Sequence, residues 1–310
     1  MEIVSEYFFP SSEGKTLIHV NQWTPVGREI IGVVQIAHGV AEYGARYAPF
    51  ARFLCDHGFT VVANDHLGHG QSIIEGCPMV YLGEKDGWRH VVDDMEELRR
   101  RTAKAFPGKP YFLFGHSMGS FLSRTHLIRY PGTLTGCILC GTGHQSAAVI
   151  AGGKLVADHE IKRLGRKAYS VRADDLAFGS YNKAFAPART RFDWISASEA
   201  NVDAYIADPL CGGDTTLGLF RDMLDGLGCI TKQSNINKMD KSLPVFFIAG
   251  DQDPVGGMGK GVEKACGCFK KAGLKDVSLK LYHGLRHEIL NEASRQYVYK
   301  DVLDWLTARV

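Results

Sequence analysis

At 310 residues the chain is long for one ordinary domain and suits one α/β core carrying an insertion. Its apolar fraction of 45% is that of a globular protein with a sizeable core, and 36 Lys and Arg against 34 Asp and Glu leave a formal net charge of +2. That near balance argues against a nucleic-acid binder, which would usually carry a basic stripe, and no apolar stretch approaches the ~20 residues needed to cross a bilayer.

The first residues, Met1 to Glu6, have neither a basic nor an apolar region of the secretory type, so a cytoplasmic location is expected. Strands are expected at 2–9 and 15–23, joined through the turn cluster Ser11-Ser12-Glu13-Gly14 as an antiparallel hairpin. Further strands are expected at 31–37, 60–64, 110–115, 134–140, 244–250 and 277–282. These are short, rich in Val, Ile, Leu and Phe, and separated by helical patterns, as parallel strands buried on both faces should be. Ala45, Ala48, Ala51 and Leu54 recur at helical spacing, as do Trp88, Val91, Met95 and Leu98, and both stripes read as core faces. Arg99-Arg100-Arg101 reads as a solvated helix end.

About a hundred residues separate Cys140 from Pro244, whereas a crossover needs a dozen or a few more. An insertion is therefore expected over 143–211, with 215–227 returning as a crossover helix and 1–142 with 212–310 forming the core. Inserted there, it would lie over the carboxyl edge of the sheet, where ligands bind in open α/β folds, and is a candidate lid. The eight cysteines show no disulfide framework. Cys137 and Cys140 fall inside a strand with side chains on opposite faces. Cys266 and Cys268, two apart on a helix, do not face each other.

The chemistry centres on Gly115-His116-Ser117-Met118-Gly119, directly after the run Tyr111-Phe112-Leu113-Phe114. Glycine on both sides of a serine permits a very sharp strand-to-helix turn that exposes the hydroxyl to a carbonyl substrate. A serine hydroxyl needs a base within reach and an acid behind that base. Two later strands supply candidates in the order such enzymes use. One ends in Gly250-Asp251-Gln252-Asp253-Pro254 and the last in His283-Gly284-Leu285-Arg286-His287-Glu288. Asp253 is preferred over Asp251, which lies at the strand end and more simply fixes the turn. His287 is preferred over His283, because the loop must leave the sheet edge before an imidazole can reach Ser117.

An oxyanion needs two backbone N–H donors. Met118, following the nucleophile at a helix N-terminus, is one candidate. Val40, in the loop Ile36-Ala37-His38-Gly39-Val40, is the other, and His38 is read as structural. Asp65-His66-Leu67-Gly68-His69-Gly70 is read as a hydrogen-bonded turn rather than a metal site.

The segments His38-Gly39-Val40-Ala41-Glu42, Asp65 to Ser72, Gly115 to Gly119 and Val202 to Leu210 resemble the monoacylglycerol lipase and lysophospholipase branch of the α/β-hydrolases, often labelled serine aminopeptidase. The likeness runs from about Asn21 to Leu306. It implies an eight-stranded, mostly parallel sheet flanked by helices, with a helical cap inserted after the sixth strand. It also implies a Ser117, Asp253 and His287 triad, with Val40 and Met118 as oxyanion donors. Where mammalian members carry a reactive cysteine shortly after the acid, this chain has Gly256, so thiol sensitivity is not carried over. The cap is longer and more polar, with Tyr181-Asn182-Lys183 and Arg189 to Trp194.

The expected activity is that of a serine carboxylester hydrolase. Its substrates would be small acyl esters of short or medium chain, monoacylglycerol or lysophospholipid among them. No metal or organic cofactor and no nucleic-acid partner are expected, and the cap is a candidate for transient contact with a membrane surface. A peptidase removing an N-terminal residue would need acids converging on a free ammonium. Glu160, Asp174, Asp175, Asp193 and Glu199 lie in the cap but read as solvated surface acids. A non-catalytic binding protein on the same fold would have lost a triad member, and all three are present.

Overall fold

The computed structural model describes residues 2–310. Eight strands form one sheet: β1 (Glu2–Pro10), β2 (Leu17–Pro25), β3 (Gly32–Ala37), β4 (Phe59–Asn64), β5 (Tyr111–His116), β6 (Gly136–Cys140), β7 (Val245–Gly250) and β8 (Val277–Tyr282). Their order across the sheet is β1-β2-β4-β3-β5-β6-β7-β8, with β1 and β2 antiparallel to their neighbours and every later pairing parallel. The α/β-hydrolase fold expected from the sequence is the one observed.

Every residue of β3, β4, β5, β6 and β7 is buried, because helices cover both faces. Helices α1 (Ala48–Cys55) and α10 (Arg295–Thr307) pack on one face. Helices α2 (Gly87–Ala105), α3 (Met118–Arg129), α7 (Leu217–Ile230) and α9 (Lys260–Lys271) pack on the other. Cys137 and Cys140 of β6 join opposite cores, and all eight cysteines are free. The α2 stripe of Trp88, Val91, Met95 and Leu98 is buried as expected. The first stripe differs: a 3-10 turn over Gly44–Tyr47 precedes α1, so Tyr47, Phe50, Ala51 and Leu54 face the core while Ala45 and Ala48 are only half buried. Strand β2 starts two residues later than expected, because the Glu13 carboxylate accepts from Lys15 and Thr16 N–H and keeps both in the turn. Of the arginine run on α2, Arg99 pairs with Glu96, and Arg100 and Arg101 with Glu97.

Between β6 and α7 the chain builds α4 (Ala147–Leu164), α5 (Val171–Ala177), two 3-10 turns at Tyr181–Phe185 and Asp193–Ile195, and α6 (Glu199–Ala207). The serines before α4, α5 and α6 each accept from a backbone N–H of the first turn, which fixes where these helices start inside an otherwise irregular segment. A short α8 (Gln233–Ile236) follows α7. No helix among the described residues is long and apolar enough to cross a membrane.

Candidate active site

Ser117 sits between β5 and α3 at φ 53° and ψ −122°, a conformation L-residues avoid unless the surroundings enforce it. The sheet enforces it from one side: Ser117 N–H donates to Cys140 O of β6 at 3.0 Å. The flanking glycines are required by space. A Cβ on Gly115 would stand 2.5 Å from Gly119 O, and one on Gly119 would stand 2.6 Å from His38 O.

The loop after β7 buries Asp253 completely, and the loop after β8 brings His287 to it, with Nδ1 2.9 Å from Asp253 Oδ2. The second Asp253 oxygen accepts from Val255 N–H at 2.9 Å, so both oxygens are engaged. With its Nδ1–H donated to a carboxylate, His287 carries its free lone pair on Nε2. Ser117 and His287 line the same cavity. Gly141, at φ 58°, passes close to the imidazole: a Cβ there would lie 3.0 Å from His287 Cε1. Asp251 and His283, the alternatives in each slot, meet one another at 2.8 Å with His283 exposed, and Asp251 also accepts from Gly284 N–H.

The backbone leading into Val40 is held on both sides of Gly39. His38 Nε2 accepts from His66 N–H at 2.8 Å, so the ring proton is on Nδ1, which donates to Gly39 O at 2.7 Å. Burial keeps His38 neutral by pushing its pKa down. Glu42 Oε1 accepts the Gly39 N–H at 2.5 Å. In a trans peptide the Val40 N–H points away from the Gly39 carbonyl, hence away from His38. Val40 and Met118 both line the cavity beside Ser117. The next residue, Ala41, is held at φ 52° by Tyr205 Oη and Gly212 N–H, which both donate to its carbonyl. This loop is thus fastened from α6 as well as from the core.

Beneath it lies a buried charge network. Glu42 accepts from Arg46 Nη1 (2.6 Å) and Tyr47 Oη (2.8 Å) and faces His116 Nδ1 (3.2 Å). Arg46 also clasps Glu288 through two bonds of 2.8 and 3.0 Å. Glu288 takes a further hydrogen bond from Asn201 of α6. Burial pushes the Glu42 carboxyl up, but the His116 hydrogen bond and the Arg46 charge outweigh it and hold the group well below the usual carboxylate range. Burial likewise opposes protonation of His116, yet Glu42 raises its pKa. Glu42 and Glu288 occur in the quoted motifs without a sequence-derived role, and Arg46 in none. The pairing joins residues 242 apart, beyond any local pattern.

Asp65 takes the turn role expected of it, accepting from Gly44 and Gln71 N–H and pairing with His19 at 3.0 Å. His66 and His69 pack against His38, their pKa values pushed down by burial, to about 3 for His69. Among the described residues no group of three His, Cys, Asp or Glu side chains is placed to hold a metal.

The cavity has two lobes that share Val40, Ser117, Phe178 and Trp194. One, of about 110 Å³, is walled by Met118, Phe121, Phe220, Met223, Leu224, Leu227 and their apolar neighbours. The other, of about 260 Å³, is the more polar of the two, setting Glu42, Asp174, Asp175, Asn182, Arg191 and Glu288 beside Phe178, Phe192 and Trp194. Trp194, in the segment between β6 and α7, has its ring 5.1 Å from that of His287, a placement the sequence did not signal. Of the five acids expected on the surface, Asp175 and Glu199 are exposed, Asp175 also edging the more polar lobe, while Asp174 lines that lobe half-buried. Asp193 instead binds the backbone N–H groups of Arg189 and Thr190, and Glu160 is buried against Arg163 and Ser170.

The family profile described as serine aminopeptidase, S33, matches residues 28–294. The chain belongs to this α/β-hydrolase family. Within it, the chain is 30% identical to a monoacylglycerol lipase of Mycolicibacterium smegmatis, over 99% of this chain and 98% of that one. It is 26% identical to human monoglyceride lipase, over 93% and 86% of the two chains. A crystal structure of a highly thermostable carboxyl esterase from Bacillus coagulans, in complex with glycerol, superposes with a TM-score of 0.92 at 28% identity, covering 100% of this chain and 99% of that one. The family is one of hydrolases, and this chain is a hydrolase.

Proposed function

We propose that the chain hydrolyses carboxylic esters of a fatty acyl group with a small polar alcohol, monoacylglycerols foremost, through Ser117, His287 and Asp253. The observation that carries this reading is the two-lobed cavity meeting at Ser117: one lobe suits an acyl chain, the other a hydroxylated alcohol. The esterase and lipase relatives point the same way. On this reading residues 143–211 are a cap over a core of 1–142 and 212–310.

Ser117 Oγ attacks the ester carbonyl while His287 Nε2 takes its proton. Val40 and Met118 N–H stabilise the oxyanion. Asp253 keeps the imidazole in the required tautomer and balances the imidazolium. The proton then passes to the alcohol oxygen as the ester bond breaks, the alcohol leaves, and water releases the acyl group by the same steps in reverse. Val149 and Leu176 line the apolar lobe yet are 56% and 52% exposed, giving an acyl chain an apolar path inward from a lipid aggregate.

Removal of an N-terminal residue is a second reading, favoured by one observation: Asp174 and Asp175 reach the lobe where a free ammonium would sit. Arg191, 3.6 Å from Asp174, works against it. The deciding experiment sets p-nitrophenyl esters of graded chain length and a monoacylglycerol beside an aminoacyl-naphthylamide, with wild type and Ser117→Ala. Ester turnover abolished in Ser117→Ala is the expected result. Naphthylamide cleavage without ester turnover would move the chain to the peptidase reading, and full ester turnover by Ser117→Ala would refute both.

A further inference from the structure

Arg124 lies on α3, about two turns after Ser117, and is fully buried. Among the described residues no carboxylate pairs with it, and burial pushes its pKa down to about 10. Taking a guanidinium out of water without a counter-charge is among the costlier burials a fold can carry. A leucine or methionine would fill the same space at less cost, so the bonds the cation makes are informative.

Nη1 donates to Gly143 O at 2.7 Å and approaches Thr142 Oγ1 at 3.3 Å. Nη2 donates to Ile230 O at 3.1 Å. All three acceptors are uncharged. Gly143 stands where the chain leaves β6 toward α4. Ile230 ends α7, the helix by which the chain returns, and its carbonyl is at the negative end of that helix dipole. Both anchored segments also wall the apolar lobe: Gly143 directly, and α7 through Phe220, Met223, Leu224 and Leu227. Phe121, one turn before Arg124 on the same helix, is a third wall.

We propose that Arg124 is a positioning residue that sets the width of the acyl lobe, pinning the start of the inserted segment at Gly143 and the far end of α7 to the helix that follows Ser117. The proposal rests on the reading of that lobe as the acyl site. The planar fork is needed because one group must reach two carbonyls on different segments. Lysine offers a single ammonium and would hold one of them. Methionine fills the volume and leaves both carbonyls without their donor.

The test compares wild type, Arg124→Lys and Arg124→Met on p-nitrophenyl esters from acetate to palmitate, with rates normalised to active sites titrated by a fluorophosphonate so that misfolded protein drops out. Acetate does not use the lobe, so its kcat/KM should stay within about 2-fold, while that of the optimal ester falls about tenfold or more, mainly through KM. Arg124→Lys should lie between Arg124→Met and wild type. Equal losses on acetate and on the optimal ester would overturn the proposal, since a merely structural arginine lowers all esters together. An unchanged profile would overturn it as well. If Arg124→Lys and Arg124→Met do not fold, Arg124→Gln decides the matter, since its neutral amide removes the buried charge and can reach only one of the two carbonyls. A loss confined to the optimal ester then supports the proposal, and a uniform loss or none overturns it. Turnover retained by Ser117→Ala would instead remove the reading of the site and is scored separately.

Discussion

Replacing Glu42 by glutamine should lower the melting temperature by about 5 °C and slow turnover at every chain length. The carboxylate is 3% exposed and serves Gly39 N–H, Tyr47 Oη, Arg46 Nη1 and His116 Nδ1. Glutamine keeps the shape but only one acceptor oxygen. With that oxygen toward Gly39 and Tyr47, the amide nitrogen faces the Arg46 guanidinium, donor against donor. With it turned round, Gly39 N–H loses its acceptor. Breaking one side of a buried ion pair costs about 3–5 kcal/mol. Glu288 still holds Arg46 through two bonds, which argues for the lower figure. With an unfolding entropy of about 2 cal/mol/K per residue, about 3 kcal/mol corresponds to the 5 °C shift. In turnover, the backbone just before Val40 loses one of its two anchors, the other being His38 Nδ1 on Gly39 O, and losing one oxyanion donor outright costs about 10²–10³ in kcat, which bounds the effect from above. The pH dependence has a definite sign. The native Glu42 pKa is held below its unfolded value, so its contribution is present above about pH 4.3 and is lost as pH falls through the native pKa. Thermal melts at pH 7 and at lower pH, with kcat per titrated site, test this. A variant melting within about 1 °C of wild type at pH 7, with unchanged kcat, would refute the organising role of Glu42.

Asp253→Asn should cut kcat by about 10⁴, because an amide beside His287 Nδ1 favours the wrong tautomer; a loss under about tenfold would count against Asp253 as the orienting acid. Gly153→Leu should shorten the apolar lobe, since even a Cβ at Gly153 lies 3.1 Å from the Leu224 methyl groups. Steady-state kinetics should show esters of long chain losing about tenfold or more in kcat/KM while acetate is spared, and a uniform loss would refute it. Asp94→Asn should stabilise the fold at pH 7.5. Burial raises the Asp94 carboxyl to about 6 despite hydrogen bonds from Ser12 N–H and Ser11 Oγ. A carboxyl raised above its unfolded value stabilises at low pH and loses that contribution as pH rises through the native value. The gain in melting temperature should therefore vanish near pH 4, and a gain larger at pH 4 than at pH 7.5 would disprove the assignment.

The sheet was legible because β3 to β7 are buried on both faces, so hydrophobic runs mark them without ambiguity. The boundary errors arose where one side chain rewrites the backbone, as Glu13 does before β2. Of the Ala45 to Leu54 stripe, Ala51 and Leu54 face the core as expected, while its first half is out of phase because a 3-10 turn precedes α1 and breaks the helical spacing. The glycines around Ser117 and the loops bearing Asp253 and His287 could be found locally. Arg46, Glu288, Trp194 and Arg124 could not: each acts through a partner far away in sequence, and nothing in a helical stripe separates a buried arginine from a solvated one.

The meeting of the two lobes at only Val40, Ser117, Phe178 and Trp194 bears on the fate of the acyl-enzyme. Once the alcohol departs, the acyl chain still fills the apolar side, and whatever refills the polar side becomes the next nucleophile. That lobe was shaped for hydroxyl groups, so on the function proposed here a polyol competes there with water. In concentrated glycerol the acyl group should pass to glycerol rather than to water, and the ratio of the two products would report how well the lobe holds an alcohol.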